Sequence, residues 1–182
     1  MNGESPTVKS PSLLLMCAPT LHQPMNSYNG YTPSERQRKQ NAANREFPNR
    51  SHPLYKGPCQ MCGNPGCPVE PHSEDYSMPY EWKNPADYAV CKTCHGRLHK
   101  RFNSPHSWTA YKVHIKRGGY GADLKDPKIA REVKALALAI EQGREQPVLP
   151  ALRPFVQTDL WWDRLTVDPA SLTEAWARPR RA

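Results

Sequence analysis

At 182 residues the chain has room for one domain and a small second one, but 37% hydrophobic residues, three phenylalanines, 20 prolines and a mean hydropathy of −0.81 argue against a large, well-filled core. The formal charge of +8 favours a phosphate backbone as partner, the bland alternative being a merely soluble basic protein. Residues 1–50 carry six basic and three acidic side chains, residues 51–120 nine and five, and residues 121–182 ten and nine, so the excess sits upstream of and within the cysteine-bearing segment.

In chain order, residues 1–30 are rich in Pro, Ser, Asn and Gly without a period and read as a flexible tail. Thr32 and Glu35 form a capping box around Pro33, which predicts a helix from Pro33 to about Arg45 with little apolar face. Pro48, Pro53, Gly57 and Pro58 predict a loop over residues 46–58. A turn at residues 63–68 precedes a brief strand from Val69 to His72, residues 77–85 read as loop, and Tyr88 to Val90 suggest a second strand leading into Cys91. A helical pattern from Thr93 to Phe102 sets His95 and His99 one turn apart on one face.

Ser104-Pro105 starts a further helix and Gly118-Gly119 stops it, with Trp108, Tyr111 and Ile115 as its apolar stripe. Asp126-Pro127 starts another that ends near Gly143 and buries Ile129, Val133, Leu136 and Ile140. Trp161-Trp162, if extended, would point to opposite sides and leave one ring exposed. A short helix is expected after Asp168-Pro169, followed by a frayed end.

Of six cysteines, four form two C-x2-C pairs, Cys59/Cys62 and Cys91/Cys94, with 28 residues between them. Each pair can grip one ion, and four thiolates suit a closed tetrahedral zinc site that stabilises a fold and performs no chemistry. Cys67 could replace one ligand or support a second ion, or be a spare thiol; Cys17 stands in the tail. Leu13 to Cys17 is too short for a membrane span, and reduced thiols in a cytoplasmic protein are a simpler account than a lipoprotein cleavage site at Cys17.

The run Cys59-x2-Cys62-Gly63, His72-Ser73-Glu74-Asp75-Tyr76-Ser77-x-Pro79 and Cys91-x2-Cys94-His95-x3-His99 resembles the HNH nuclease family, and in particular its small phage-type members with a four-cysteine zinc site. The resemblance covers about 41 of 182 residues. It implies a small α+β fold: a zinc-stapled ββα-metal core with flanking helices. It also implies a catalytic divalent ion, Mg2+ or another, held by His72 from the hairpin and His99 from the helix. Asp87 is the nearest match to the family's middle asparagine, with Asn84 a looser one, and Glu74 or Asp75 could act through a water. Ser73 falls where the family carries its general base, and a hydroxyl cannot accept a proton near neutral pH. His95 reads as scaffold beside Cys94. If Ser73 stands at the base position, replacing it with histidine is expected to improve any nicking.

The sequence thus divides into a tail (1–30), a helix plus zinc-binding HNH-like domain (31–120) and a helical C-terminal extension (121–182). Its function reads as a metal-dependent DNA endonuclease hydrolysing phosphodiesters. The alternatives are a catalytically impaired HNH-like module that binds nucleic acid, double-stranded DNA by resemblance, or a zinc-stabilised protein-interaction module with Trp108, Trp161 and Trp162 at its interface. Lys92, Arg97, Lys100, Arg101, Lys116 and Arg117 are the expected phosphate contacts, and no membrane partner is expected.

Overall fold

A computed structural model describes residues 27–77, 80 and 87–168. Cys17, Asn84, Pro79 and the helix expected after Asp168 lie outside the described residues.

Helix α1 (Pro33–Glu46) begins where the capping box requires: the Thr32 hydroxyl accepts from the Glu35 amide at 3.3 Å while the Glu35 carboxylate accepts from the Thr32 amide at 2.8 Å. The proline-rich loop that follows holds two 3-10 turns, Pro48–Arg50 and Pro53–Lys56. Strands β1 (Val69–Ser73) and β2 (Asp87–Cys91) pair antiparallel, with Val69 opposite Cys91, His72 opposite Tyr88 and Ser73 opposite Asp87. Helix α2 (Lys92–Lys100) leaves β2 directly, completing a ββα unit.

The first cysteine pair is docked on this unit by backbone pairing. The Gln60 amide donates to the Ala89 carbonyl at 2.8 Å, and the Gln60 side-chain oxygen accepts from the Ala89 amide at 2.5 Å. Gly63, at φ +72°, supplies the left-handed residue that closes the turn, its amide donating to the Cys59 carbonyl at 2.7 Å. Val69, Ala89, Val90, Leu98, Trp108, Tyr111 and Ile115 pack around the cysteines, so the core is small and centred on them.

Helices α3 (Pro105–Lys116) and α4 (Pro127–Glu141) form the flank. They enclose a second apolar cluster of Ala110, Val133 and Leu136, with Ile129 and Ile140 packed alongside, as the helical spacing predicts. Beyond α4 the chain runs back over the ββα unit, with no strand or α-helix among the described residues. The Leu152 amide donates to the Arg117 carbonyl at 2.7 Å, Arg153 pairs with Asp123 at 2.6 Å, and the Trp161 indole donates to the Gln60 carbonyl at 3.0 Å.

Trp161 and Trp162 correct the expectation of one exposed ring. They lie on a 3-10 turn (Trp161–Arg164), not a strand, and both rings are buried, Trp161 stacked on Tyr88 at 3.5 Å between centroids. Trp108 is buried as well, so none of the three offers its ring as an interaction surface. No helix among the described residues is long and apolar enough to cross a membrane.

Candidate metal centres

Cys59, Cys62, Cys91 and Cys94 converge in the core, their sulfurs all within 4.8 Å of one another. The turn at Gly63 presents the first pair, and the junction of β2 with α2 presents the second. Backbone amides already point at the sulfurs: Cys91 N donates to Cys59 Sγ at 3.2 Å and Cys62 N at 3.5 Å, while the Tyr111 hydroxyl lies 3.1 Å from Cys94 Sγ. Contact among the thiols splits their acidities, pushing Cys91 and Cys62 down and Cys59 up, while burial pushes Cys94 up. Four thiolates so close cannot coexist in a buried site without a cation, and this donor set fits zinc. Cys67 is half-buried, its thiol 3.4 Å from the Asn64 carbonyl, and stands outside the quartet.

A second cluster lies on the other side of the hairpin–helix junction. Side-chain nitrogens of His72, His95 and His99 all fall within 4.8 Å of one another. Strand periodicity turns Glu70 and His72 to the face that meets α2, and helical periodicity turns His95 and His99 back toward them. The Nε2 atoms of His95 and His99 are 2.9 Å apart. Two of the three rings have a carboxylate behind them: Glu74 Oε1 lies 2.7 Å from His72 Nε2, and Glu70 Oε1 lies 2.8 Å from His95 Nδ1. His72 is fully buried, and its Nδ1 has no hydrogen-bond partner among the described residues.

An imidazole backed on one nitrogen and bare on the other is the usual arrangement of a metal-ligating histidine. Burial, with the neighbouring His95 and His72, pushes His99 down to about 2, and burial also holds His72 below its ordinary value, so both rings are neutral at neutral pH. Burial opposes the ionised form of Glu74, yet His72 and Arg101 keep its pKa below the ordinary value. The cluster is roofed by the Tyr28 ring, 4.0 Å from that of His99, and reaches solvent on the side of His95 and Glu70.

Other expected site residues stand elsewhere. Ser73, next to His72 on a strand, points to the opposite face, where its hydroxyl accepts from Lys39 Nζ at 2.7 Å and donates to the Asp75 carbonyl at 2.7 Å. Asp87, directly across the ladder from Ser73, shares that face and pairs with Lys39 at 2.6 Å, so it does not reach the histidines. Asp75 is also turned away: its Oδ1 accepts from the Tyr31 hydroxyl at 2.7 Å and from the Ser77 amide at 2.8 Å.

Two of the expected phosphate contacts are buried in ion pairs. Arg101 is 1% exposed and bound to Glu74 at 2.8 Å, and Arg117 is 8% exposed and bound to Glu132 at 2.9 Å. Lys116 is exposed but paired with Asp163 at 2.7 Å. Lys92 and Lys100 are exposed, and Arg97 is half-buried over the Tyr111 ring. Sequence reasoning read His95 as scaffold beside Cys94; the structure brings its Nε2 to that of His99, at the four-residue spacing visible in the sequence. That reasoning missed exposed Arg50, whose charge, like that of Lys92, acts on Glu70 at the mouth of the cluster.

No family model, curated protein or solved structure matches this chain.

Proposed function

We propose that the chain is a zinc-stapled, HNH-like module that binds double-stranded nucleic acid, carries a second divalent ion on its three histidines, and lacks the family's general base. The observation that supports this reading best is the orientation of Ser73. Its hydroxyl is committed to Lys39 and the Asp75 carbonyl on the face away from His72, so neither its chemistry nor its direction suits activation of water at the histidines. The phosphate-binding surface is smaller than the sequence suggests. It comprises Lys92 and Lys100 on α2, with Arg97 beside them and Arg50 near the mouth of the histidine cluster.

Here the zinc of the cysteine quartet holds the fold, and the histidine centre gives the surface a fixed positive charge against the phosphate backbone. His72, His95 and His99 would hold that ion, which when bound supplies Lewis-acid stabilisation of charge on a phosphate oxygen. The chain's own residues orient those rings, exclude water from His72 and leave His95 accessible.

A second reading, an active phosphodiesterase of HNH type, is favoured by the two carboxylate-backed imidazoles, because such backing is a feature of metal sites that do chemistry as well as of those that only bind. One experiment separates the two. Purified protein is incubated with plasmid DNA and Mg2+, Mn2+ or Zn2+, with an EDTA control, while binding to duplex DNA is measured across a salt series. The expected result is binding that weakens with salt, with a log–log slope of about one per phosphate contact, and no nicking. Metal-dependent nicking abolished by His99→Ala establishes the enzyme instead. A flat salt dependence or absence of binding overturns the nucleic-acid reading.

A further inference from the structure

Glu74 lies just past β1 and is nearly buried, yet among the described residues it is the most heavily served carboxylate. Its Oε1 lies 2.7 Å from His72 Nε2 and accepts from the Tyr28 hydroxyl at 3.0 Å and from Arg101 Nη1 at 3.2 Å. Its Oε2 accepts from Arg101 Nη2 at 2.8 Å and from Asn29 Nδ2 at 2.9 Å. Arg101 in turn donates to the Tyr28 hydroxyl and to the carbonyls of Leu98 and Thr166 at 3.2 and 3.0 Å. Three separate stretches of chain thus converge on one carboxylate. A buried ion pair is a weak source of stability, since desolvation offsets most of its Coulomb gain. The network accomplishes something else. It fixes an acceptor opposite His72 Nε2, so the ring carries its proton there and keeps the Nδ1 lone pair bare.

Glu70 makes the complementary arrangement on His95. Its Oε1 faces Nδ1 at 2.8 Å, which places that proton on Nδ1 and frees Nε2 toward His99. Glu70, His72 and Glu74 recur at the two-residue period of an extended chain, and His95 and His99 at the four-residue spacing of a helix. A single strand edge and a single helix face therefore carry the ligands together with the groups that orient them.

We propose that Glu74, clamped by Arg101 and Tyr28, and Glu70 are positioning residues. They fix the tautomers of His72 and His95 and so set the affinity of the three-histidine centre, tuning it to a borderline ion such as zinc, cobalt or nickel in preference to magnesium. The inference rests on the reading that this centre holds a second divalent ion. The preference follows from the donors: three imidazole nitrogens suit the later first-row metals, whereas magnesium takes oxygen ligands and gives up its water reluctantly.

The test uses the full chain loaded with one equivalent of zinc and titrated with Co2+. Occupancy of the histidines gives weak visible bands, and displacement of zinc from the cysteines would be seen separately as intense sulfur-to-cobalt absorption. Wild type is expected to take up one further Co2+ that excess Mg2+ does not displace. Glu74→Gln and Glu70→Gln are each expected to bind that ion about 10–100-fold more weakly with zinc content unchanged. Two-bond 15N–1H correlations of the imidazoles in protein without the second ion are expected to show a single tautomer for His72 in wild type and a mixture in Glu74→Gln. Uptake by wild type with equal affinity and unchanged tautomers in both variants overturns the positioning role and leaves the second ion standing. No uptake by wild type overturns the second ion and the inference with it. Displacement by Mg2+ at comparable concentration overturns the metal preference. Should Glu74→Gln lose its fold, Glu70→Gln, on a carboxylate that is 31% exposed, decides alone.

Discussion

Lys39 reaches from α1 across the hairpin and places its ammonium 2.6 Å from Asp87, 2.7 Å from the Ser73 hydroxyl and 2.5 Å from the Asp75 carbonyl. Both members of the ion pair are almost fully buried, so removing one strands the other in a low-dielectric setting. Lys39→Met is expected to cost about 3–5 kcal/mol in urea unfolding, and pairing it with Asp87→Asn should recover part of that loss. An undiminished midpoint in the single variant would show that Asp87 is solvated or neutral. The same geometry reverses the outcome that the sequence suggested for Ser73→His. An imidazole there enters the slot between Lys39 and the Asp75 carbonyl, with a cost of about 1–3 kcal/mol for overpacking, and brings no gain in nicking. Ser73 was read as a missing base because its neighbour is a ligand candidate. A strand sends neighbours to opposite faces, and Lys39, 34 positions earlier, leaves no mark in the local sequence. Glu70 and Glu74, two residues either side of His72, were legible by that same period of two.

Elements with strong punctuation were the easiest to read. The capping box set the start of α1, Asp126 caps α4 through the Lys128 amide at 2.7 Å, and the two C-x2-C pairs located the cysteine quartet that could hold a metal. The Trp161-Trp162 pair was harder, because alternation holds for a strand and a 3-10 turn obeys no such rule. Gly118 shows how tightly the returning chain is seated on the end of α3. Its φ is +80°, and a Cβ there would stand 2.0 Å from the Arg153 carbonyl oxygen. Gly118→Ala therefore faces both a left-handed backbone and a backbone collision, and is expected to cost well over ~1 kcal/mol. Gly143, also at positive φ but with open space around it, is the control: alanine there should cost only about 1 kcal/mol for its backbone. Equal thermal midpoints for the two variants would contradict the seating of Leu152 and Arg153 described above.

Across the whole molecule, the two apolar clusters are modest and the larger is built around the cysteines, so the metal is expected to carry much of the stability. Binding of a structural zinc is worth on the order of 10–16 kcal/mol in small peptides. Cys59→Ala or Cys94→Ala is expected to lose the zinc and the cooperative thermal transition, and elemental analysis beside calorimetry checks both; retention of either would mean that the metal is not the staple.

The indole of Trp161 bonded to the Gln60 carbonyl closes a loop of 101 positions, and that separation has a consequence for the order of events in folding. Local closure is quick and distant closure slow, so the cysteine turns and α2 can assemble around zinc while the stacking partner of Tyr88 is still far away along the polymer. On the ribosome, at about 5–20 residues per second, the stretch between Cys94 and Trp161 takes several seconds to emerge. During that interval the Tyr88 ring lies bare beside His72, a sticky aromatic face on a newborn module. Refolding from denaturant should accordingly show a fast zinc-dependent phase in far-ultraviolet dichroism and a slower burial of tryptophan fluorescence, and a single shared rate would mean that the tail docks as early as the metal.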